Sequence, residues 1–235
     1  MRIHAAGIRA AEIGCDAMTG ADATDRSPER GIRRAGDRAL LVTAPVAEFV
    51  AALREHRPPG VRDVLPAAET VLVTLDSVRA GETVRRELEA LLGDLDAVAV
   101  ADVWSGMGEP VRIPVRYDGA DLVEVAGLLG MEVAEVVAAH TGVVWRCAFV
   151  GFAPGFGYLE SPDGRLAVPR RAQARTAIPA GAVALAGGYS AVYPRSSPGG
   201  WQLIGHTDAP MWDAGREQPA LVRAGAAVRF EAVDR

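Results

Sequence analysis

The chain has 235 residues, and its 25 basic side chains are all arginine; it contains neither lysine nor asparagine. Without lysine, the chain itself cannot supply a P-loop, a kinase-type phosphate lysine, a Schiff base or a biotin attachment site. Without asparagine it has no N-glycosylation sequon and no Cys-His-Asn triad.

The 49% apolar and 23% charged content is that of a globular protein, and a net charge of −5 offers no basic face for nucleic acid. Two cysteines, Cys15 and Cys147, lie far apart and outside metal or redox spacing, which suits a reducing cytosol. No secretory signal pattern or membrane-spanning stretch is read, so a cytoplasmic location is expected. The length predicts one large domain or two small ones, at ~100 to 200 residues each, and two are expected.

Residues 1 to 36, with the polar run Gly20 to Pro28, read as an irregular extension. Arg38 to Thr43 reads as a strand. A helix then starts at Pro45, with Val46, Phe49, Val50 and Leu53 at helical spacing, and stops at Pro58-Pro-Gly60. Strands follow at Val61 to Leu65 and Thr70 to Leu75. A second helix carries Val84, Leu88, Leu91 and Leu92 and ends at Gly93, and a strand is expected at Ala97 to Trp104.

This β-α-β-β-α-β order is that of a split βαβ, ferredoxin-like domain, assigned to residues 37–109. The strand Val111 to Tyr117 and two connector helices, Ala120 to Leu129 and Val133 to His140, lead into short apolar runs broken by Gly and Pro. Residues 110–235 therefore read as a β-barrel domain. The charge-free stretch Thr176 to Pro194 reads as buried β-structure.

Generic motifs fail. Gly106-Met-Gly108 lacks a third glycine at position 111, and the four histidines show no i, i+4 pair for zinc. Between Thr141 and Thr207, however, six arginines face only Glu160 and Asp163, a net charge of +4 in an acidic protein. This favours a small anionic ligand.

The same window carries Gly151-Phe-Ala-Pro-Gly-Phe-Gly-Tyr-Leu159, Val168-Pro-Arg-Arg171, Arg175, Ile178-Pro-Ala-Gly181, Tyr193-Pro194 and Ser197-Pro-Gly-Gly-Trp-Gln-Leu-Ile-Gly-His206. Arginine pairs bidentately with carboxylate or phosphate and stacks on aromatic rings, so Arg170 and Arg175 read as an anion clamp or as a solvated barrel edge. Arg171, a strand neighbour, points to the other face.

His140 reads either as a helix-end cap or as a general base with the ordinary pKa of ~6.5. Tyr158, Tyr193 and Trp201 read as barrel core before ligand platform. Gln202 has the paired donor and acceptor to orient a lactam amide or to satisfy barrel backbone. Gly155 and Phe156 belong to a loop whose glycines are turn formers first and ligand contacts second.

These ordered motifs, over residues 37 to 233, closely resemble the carboxyltransferase C/D-type family, whose members are called KipI, allophanate hydrolase subunit 1 or the B-type subunit of 5-oxoprolinase (PxpB). The resemblance implies a ferredoxin-like domain followed by a cyclophilin-like barrel. It further implies a C-type partner (KipA-like, allophanate hydrolase subunit 2), a separate A-type subunit, and together with them the ATP- and Mg²⁺-dependent opening of the lactam 5-oxoproline to glutamate. His140 and Tyr158 are then the expected proton-moving residues, and Arg170, Arg175, Gly155, Phe156, Tyr193, Gln202 and His206 the expected substrate contacts.

Two alternatives within the family are a KipI-type inhibitor of a sensor histidine kinase and an allophanate or urea carboxylase-related subunit. Three departures from the family pattern bear on the substrate: Gly157 stands where Pro is usual, Tyr189-Ser190-Ala191 where Gln-Thr-Gly is usual, and His206 where Arg is usual.

Overall fold

The computed structural model describes residues 30–95 and 107–234. The first unit contains β1 (Gly31–Arg34), β2 (Ala39–Thr43), α1 (Val46–Glu55), β3 (Val61–Pro66), β4 (Thr70–Leu75), a 3₁₀ turn and α2 (Gly81–Asp94). Its antiparallel sheet has the order β1-β2-β4-β3. Alternation along β2 and β4 sends Leu40, Val42, Val71, Val73 and Leu75 to one face. Phe49 and Leu53 of α1, and Val84, Leu88 and Leu92 of α2, complete that core.

Two sequence expectations change. Residues 31–34, read as part of an irregular extension, form an edge strand, because Gly31 to Arg34 pair with Thr43 to Leu40 of β2. The second helix runs through Gly93 to Asp94 instead of stopping there. The strand expected at 97–104 lies outside the described residues.

The second unit is a nearly closed, barrel-like sheet of seven strands in the order β12-β9-β10-β7-β6-β13-β5. Its strands are β5 (Val111–Val115), β6 (Trp145–Val150), β7 (Gly157–Glu160), β9 (Ala182–Ala186), β10 (Tyr189–Val192), β12 (Gln202–His206) and β13 (Ala227–Ala232). A bridge between Arg116, just past β5, and His206, at the end of β12, joins the two edge strands. The result is a mixed α/β protein. Helices α3 (Leu122–Leu129) and α4 (Val133–Gly142) contribute Leu122, Val125, Ala126 and Val136 to the core formed with Ile113, Trp145, Leu185, Ile204 and Phe230.

The centre of the charge-free stretch is buried β-structure, with all five residues of β9 buried, while Thr176, Ala177, Pro179 and Ala180 before it are exposed. One face carries Val183 and Leu185 into the barrel. The other carries Ala182, Ala184 and Ala186, whose small side chains share a second cluster with Phe156, Ile178, Tyr193 and Trp201. A two-stranded ribbon, β8 (Arg175–Ile178) paired with β11 (Ser197–Gly199), contributes Ile178 to this outer layer. The segments with the densest motifs therefore stand on the outer surface of the barrel wall.

Candidate functional site: a glycine loop, an aromatic layer and an arginine cluster

The connection from β6 to β7 is a tight loop. Ala153 N–H donates to the Gly151 carbonyl at 2.7 Å, a three-residue turn with Phe152 at its centre, and Phe156 N–H donates to the Ala153 carbonyl at 3.0 Å. Phe152 has φ of 65°. This is the strained hand of the γ-turn, and a non-glycine residue held there costs on the order of 1–3 kcal/mol.

Gly155 has φ of 83°, and a Cβ on it would stand 2.8 Å from the Met211 carbonyl oxygen and 2.9 Å from Trp212 Cβ. The expected ligand contact at Gly155 is therefore revised, because backbone of the 211–212 segment occupies the space beside it. Phe156 is likewise core, 1% exposed.

Beneath the loop the aromatic rings interlock. Phe156 meets Tyr158, Tyr193 and Trp201 edge-on at 5.0, 5.3 and 5.6 Å, and Tyr158 stacks on Phe149 at 4.2 Å. Tyr193 and Trp201 are buried, as the priority given to core over ligand platform anticipates, while Tyr158 is half-buried. Burial pushes the Tyr193 phenol up to about 12, against the opposing charge of Arg170, and raises Tyr158 in the same way. Both are neutral hydroxyls at physiological pH, suited to donating a hydrogen bond and not to acting as bases. Arg170, exposed, is the cation whose field reaches both hydroxyls.

The neighbouring Arg171 and Arg175 are already engaged. Asp121, just before α3 and 2% exposed, accepts from Arg171 Nη1 at 2.5 Å and Arg175 Nη2 at 2.7 Å through one oxygen, and from the Leu203 backbone N–H at 2.7 Å through the other. Burial alone would raise this carboxyl. The Arg175 hydrogen bond, the Leu203 N–H and the charges of Arg175 and Arg171 outweigh burial and hold it below the usual carboxylate range.

Arg175 is thus not a free half of an anion clamp; the two-arginine clamp reduces to Arg170. Asp121 escaped the sequence reading. An acidic residue ahead of an apolar helix looks like an N-cap, yet its side chain makes no capping bond. Gln202, 2% exposed, donates to the Pro169 carbonyl at 3.4 Å, and its Oε1 has no hydrogen-bond partner among the described residues.

His140 differs from its sequence reading. His140 has no exposed surface; Nδ1 is 2.7 Å from Tyr117 Oη, Nε2 is 2.8 Å from Ser190 Oγ, and the ring stacks on Phe230 at 4.2 Å. Burial lowers its pKa to about 3. It is neither a helix-end cap nor a base of near-neutral pKa, because desolvation penalises the charged form. His206 sits at the barrel closure, with Nδ1 3.1 Å from Arg116 Nη2 and Nε2 3.2 Å from the Ala180 carbonyl. Arg116 also pairs with Asp208 at 3.1 Å.

Clefts also lie away from the arginine cluster. One separates α1 from β6 and is lined by Val46, Val50, Arg54 and Arg146; another lies between the glycine loop and Trp212, Val222 and Arg223. Among the described residues no group of three or more His, Cys, Asp or Glu side chains is placed to hold a metal ion, and no helix is long and apolar enough to cross a membrane.

The barrel-like sheet and its ordered motifs define a carboxyltransferase-type fold. The family model for the carboxyltransferase domain, subdomains C and D, matches residues 31–222, and the chain belongs to that family. It is 40% identical over 182 residues to the B-type subunit of 5-oxoprolinase from Escherichia coli O157:H7, covering 73% of this chain and 78% of the relative. To the B-type subunit of 5-oxoprolinase from Bacillus subtilis (strain 168) it is 33% identical over 223 residues, or 85% and 91% of the two chains. The crystal structure of TTHA0988 matches with a TM-score of 0.63 and 35% identity over 84% of this chain. The present chain spans about two fifths of that longer chain, 41%.

Proposed function

We propose that this chain is the B-type subunit of an ATP-dependent 5-oxoprolinase, a cytoplasmic hydrolase in which a C-type partner and an A-type subunit join it to open 5-oxoproline to L-glutamate. The observation that carries the reading is the 33 to 40% identity, over most of each chain, to two proteins named for that role. In the same reading the first unit is completed as a ferredoxin-like sandwich and the barrel is cyclophilin-like.

Lactam opening is hard because amide resonance protects the carbonyl carbon. Transfer of the γ-phosphoryl group of ATP to the carbonyl oxygen, releasing ADP, makes the carbon electrophilic; water adds, the ring C–N bond breaks as the nitrogen takes up a proton, and a second water hydrolyses the resulting acyl phosphate to the carboxylate and inorganic phosphate. The residues of this chain do not fit a nucleotide site built on lysine, since it has none. Lysine-based phosphate binding therefore belongs to another subunit, or is replaced on this chain by arginine and backbone N–H groups.

What this chain offers is Arg170, an exposed guanidinium beside the neutral hydroxyls of Tyr158 and Tyr193. Arg170 holds the substrate carboxylate, and Tyr158 donates a hydrogen bond to it or to the lactam oxygen. His140 acts from the interior by fixing Tyr117 and Ser190.

Glutamate release from 5-oxoproline and ATP, assayed with the A-type and C-type subunits present, tests this reading. Turnover that requires this chain is expected, and no turnover in the full mixture refutes it. Arg170→Ala is expected to raise KM at least ~10-fold, the loss of about 1.4 kcal/mol or more of binding, with partial recovery in Arg170→Lys. An unchanged KM removes Arg170 from the site.

A further inference from the structure

Among the described residues, Phe152 is the only non-glycine residue with positive φ, and it is 58% exposed. Its ring meets Phe156 and Tyr193 edge-on at 5.2 and 6.2 Å, and more than half of its surface faces solvent. Strain at a turn that also exposes an aromatic ring is a reason to look for what the ring meets.

Eight large apolar side chains are exposed among the described residues, and three of them, Val150, Phe152 and Trp212, line one cleft beside the glycine loop. Single exposed apolar residues are ordinary, whereas a group of them around a cleft marks an interaction site. Both walls are held from behind. Gly155 packs on Met211 and Trp212, Trp212 bridges to Ala220, and Leu221 N–H donates to the Met211 carbonyl at 2.9 Å. Such a cleft loses little freedom on binding.

Arg223 stands exposed in the same cleft and has no ion-pair partner among the described residues. An occupant that complements this surface is apolar and carries one carboxylate. A small polar lactam does not cover three large apolar side chains, whereas a protein segment does. The relatives are each named as one subunit of an enzyme, and the TTHA0988 chain has more than half its length beyond the matched part.

We propose that this cleft is where the chain docks the C-type subunit of its enzyme, through an apolar segment of that subunit that sets an Asp or Glu against Arg223. The proposal rests on the subunit reading above.

The test measures Kd between this full chain and the purified C-type partner by titration, for wild type and for Phe152→Gly, Trp212→Ser and Arg223→Glu. Leu128→Ser, an equally exposed apolar residue on α3 outside the cleft, is the control. At least two of the three cleft variants are expected to weaken binding tenfold or more, with the control within twofold. Phe152→Gly should melt no lower than wild type, since glycine accepts positive φ; this separates lost docking from lost folding.

If fewer than two cleft variants weaken binding tenfold, or if the control weakens as much as they do, the docking site is wrong. Continued glutamate release would then leave the functional reading intact. A wild-type chain that binds no C-type partner, or that instead dimerises through this cleft, overturns the docking proposal as well. The functional reading falls with it only if the full mixture also fails to release glutamate.

Discussion

Replacing Asp121 with alanine removes the one carboxylate that joins α3, the arginine segment and β12. Its loss leaves Arg175 without its carboxylate, Arg171 with only the more exposed Glu124 at 3.3 Å, and the Leu203 N–H without its acceptor. Deleting one partner of a fully buried ion pair costs about 3–5 kcal/mol. Here the Arg171 and Arg175 side chains are 27% and 25% exposed, so water screens them and the charge contribution falls to about 1–2 kcal/mol. An unsatisfied buried N–H adds about 1–3 kcal/mol. The expected destabilisation is therefore about 3 kcal/mol for Asp121→Ala, and less for Asp121→Asn, which keeps an acceptor for Leu203.

Urea unfolding followed by tryptophan fluorescence measures it. The pH dependence adds a second check. The folded carboxyl titrates below its ordinary value of 3.8, so its stabilisation is complete above that value and is lost as pH falls through the lower folded pKa. The gap between wild type and Asp121→Asn should be flat from about pH 8 to pH 5 and should narrow below about pH 4. A destabilisation under about 1 kcal/mol in Asp121→Ala would refute the view that this hub holds the arginine cluster to the barrel.

Other outcomes follow from the same structure. His140 is neutral when folded, with its pKa lowered to about 3 from 6.5. The unfolded chain therefore takes up a proton that the folded chain does not, and stability falls by about 1.4 kcal/mol per pH unit as pH drops below about 6.5. In His140→Gln that slope should vanish, so unfolding curves at pH 7 and pH 5 should differ by about 2 kcal/mol less than in wild type; an equal difference would contradict a buried neutral imidazole. Gly205→Ala places a Cβ 2.5 Å from the Arg116 carbonyl oxygen, next to the barrel closure, and should lower stability by about 1–3 kcal/mol in thermal unfolding. Gly199→Ala, 2.5 Å from Tyr193 Oη, should cost a similar ~1–3 kcal/mol and disturb the aromatic layer, visible as a change in near-ultraviolet circular dichroism.

Most secondary structure was legible because it depends on local pattern. The period-2 alternation of Leu40, Val42, Val71, Val73 and Leu75, and the helical spacing of Val84, Leu88 and Leu92, each follow from which side chains must leave water together. β1 was not legible. Gly31 to Arg34 carries little apolar signal, and its strand character comes from the exposed edge of β2 to which it pairs. The glycine loop was visible as a motif, but the reason for Gly155 was not, because the Met211–Trp212 backbone it accommodates lies more than fifty residues away.

The candidate site divides along the same line. Composition alone settled that no lysine chemistry occurs on this chain and that its basic side chains are all arginine, since both are counts of residues. Which arginine is free was a matter of distance. Arg170, Arg171 and Arg175 look alike in the sequence, but folding brings Asp121 to Arg171 and Arg175 from some fifty residues earlier and leaves Arg170 exposed, its charge felt by the Tyr158 and Tyr193 phenols. In the same way, the residue type of His140 says only that it can titrate near neutrality, while the loss of water around it in the barrel lowers its pKa to about 3. Side-chain identity supplies the charge, and the tertiary structure decides how much of it is already neutralised, because Coulombic pairing and desolvation depend on neighbours that the order of residues does not make adjacent.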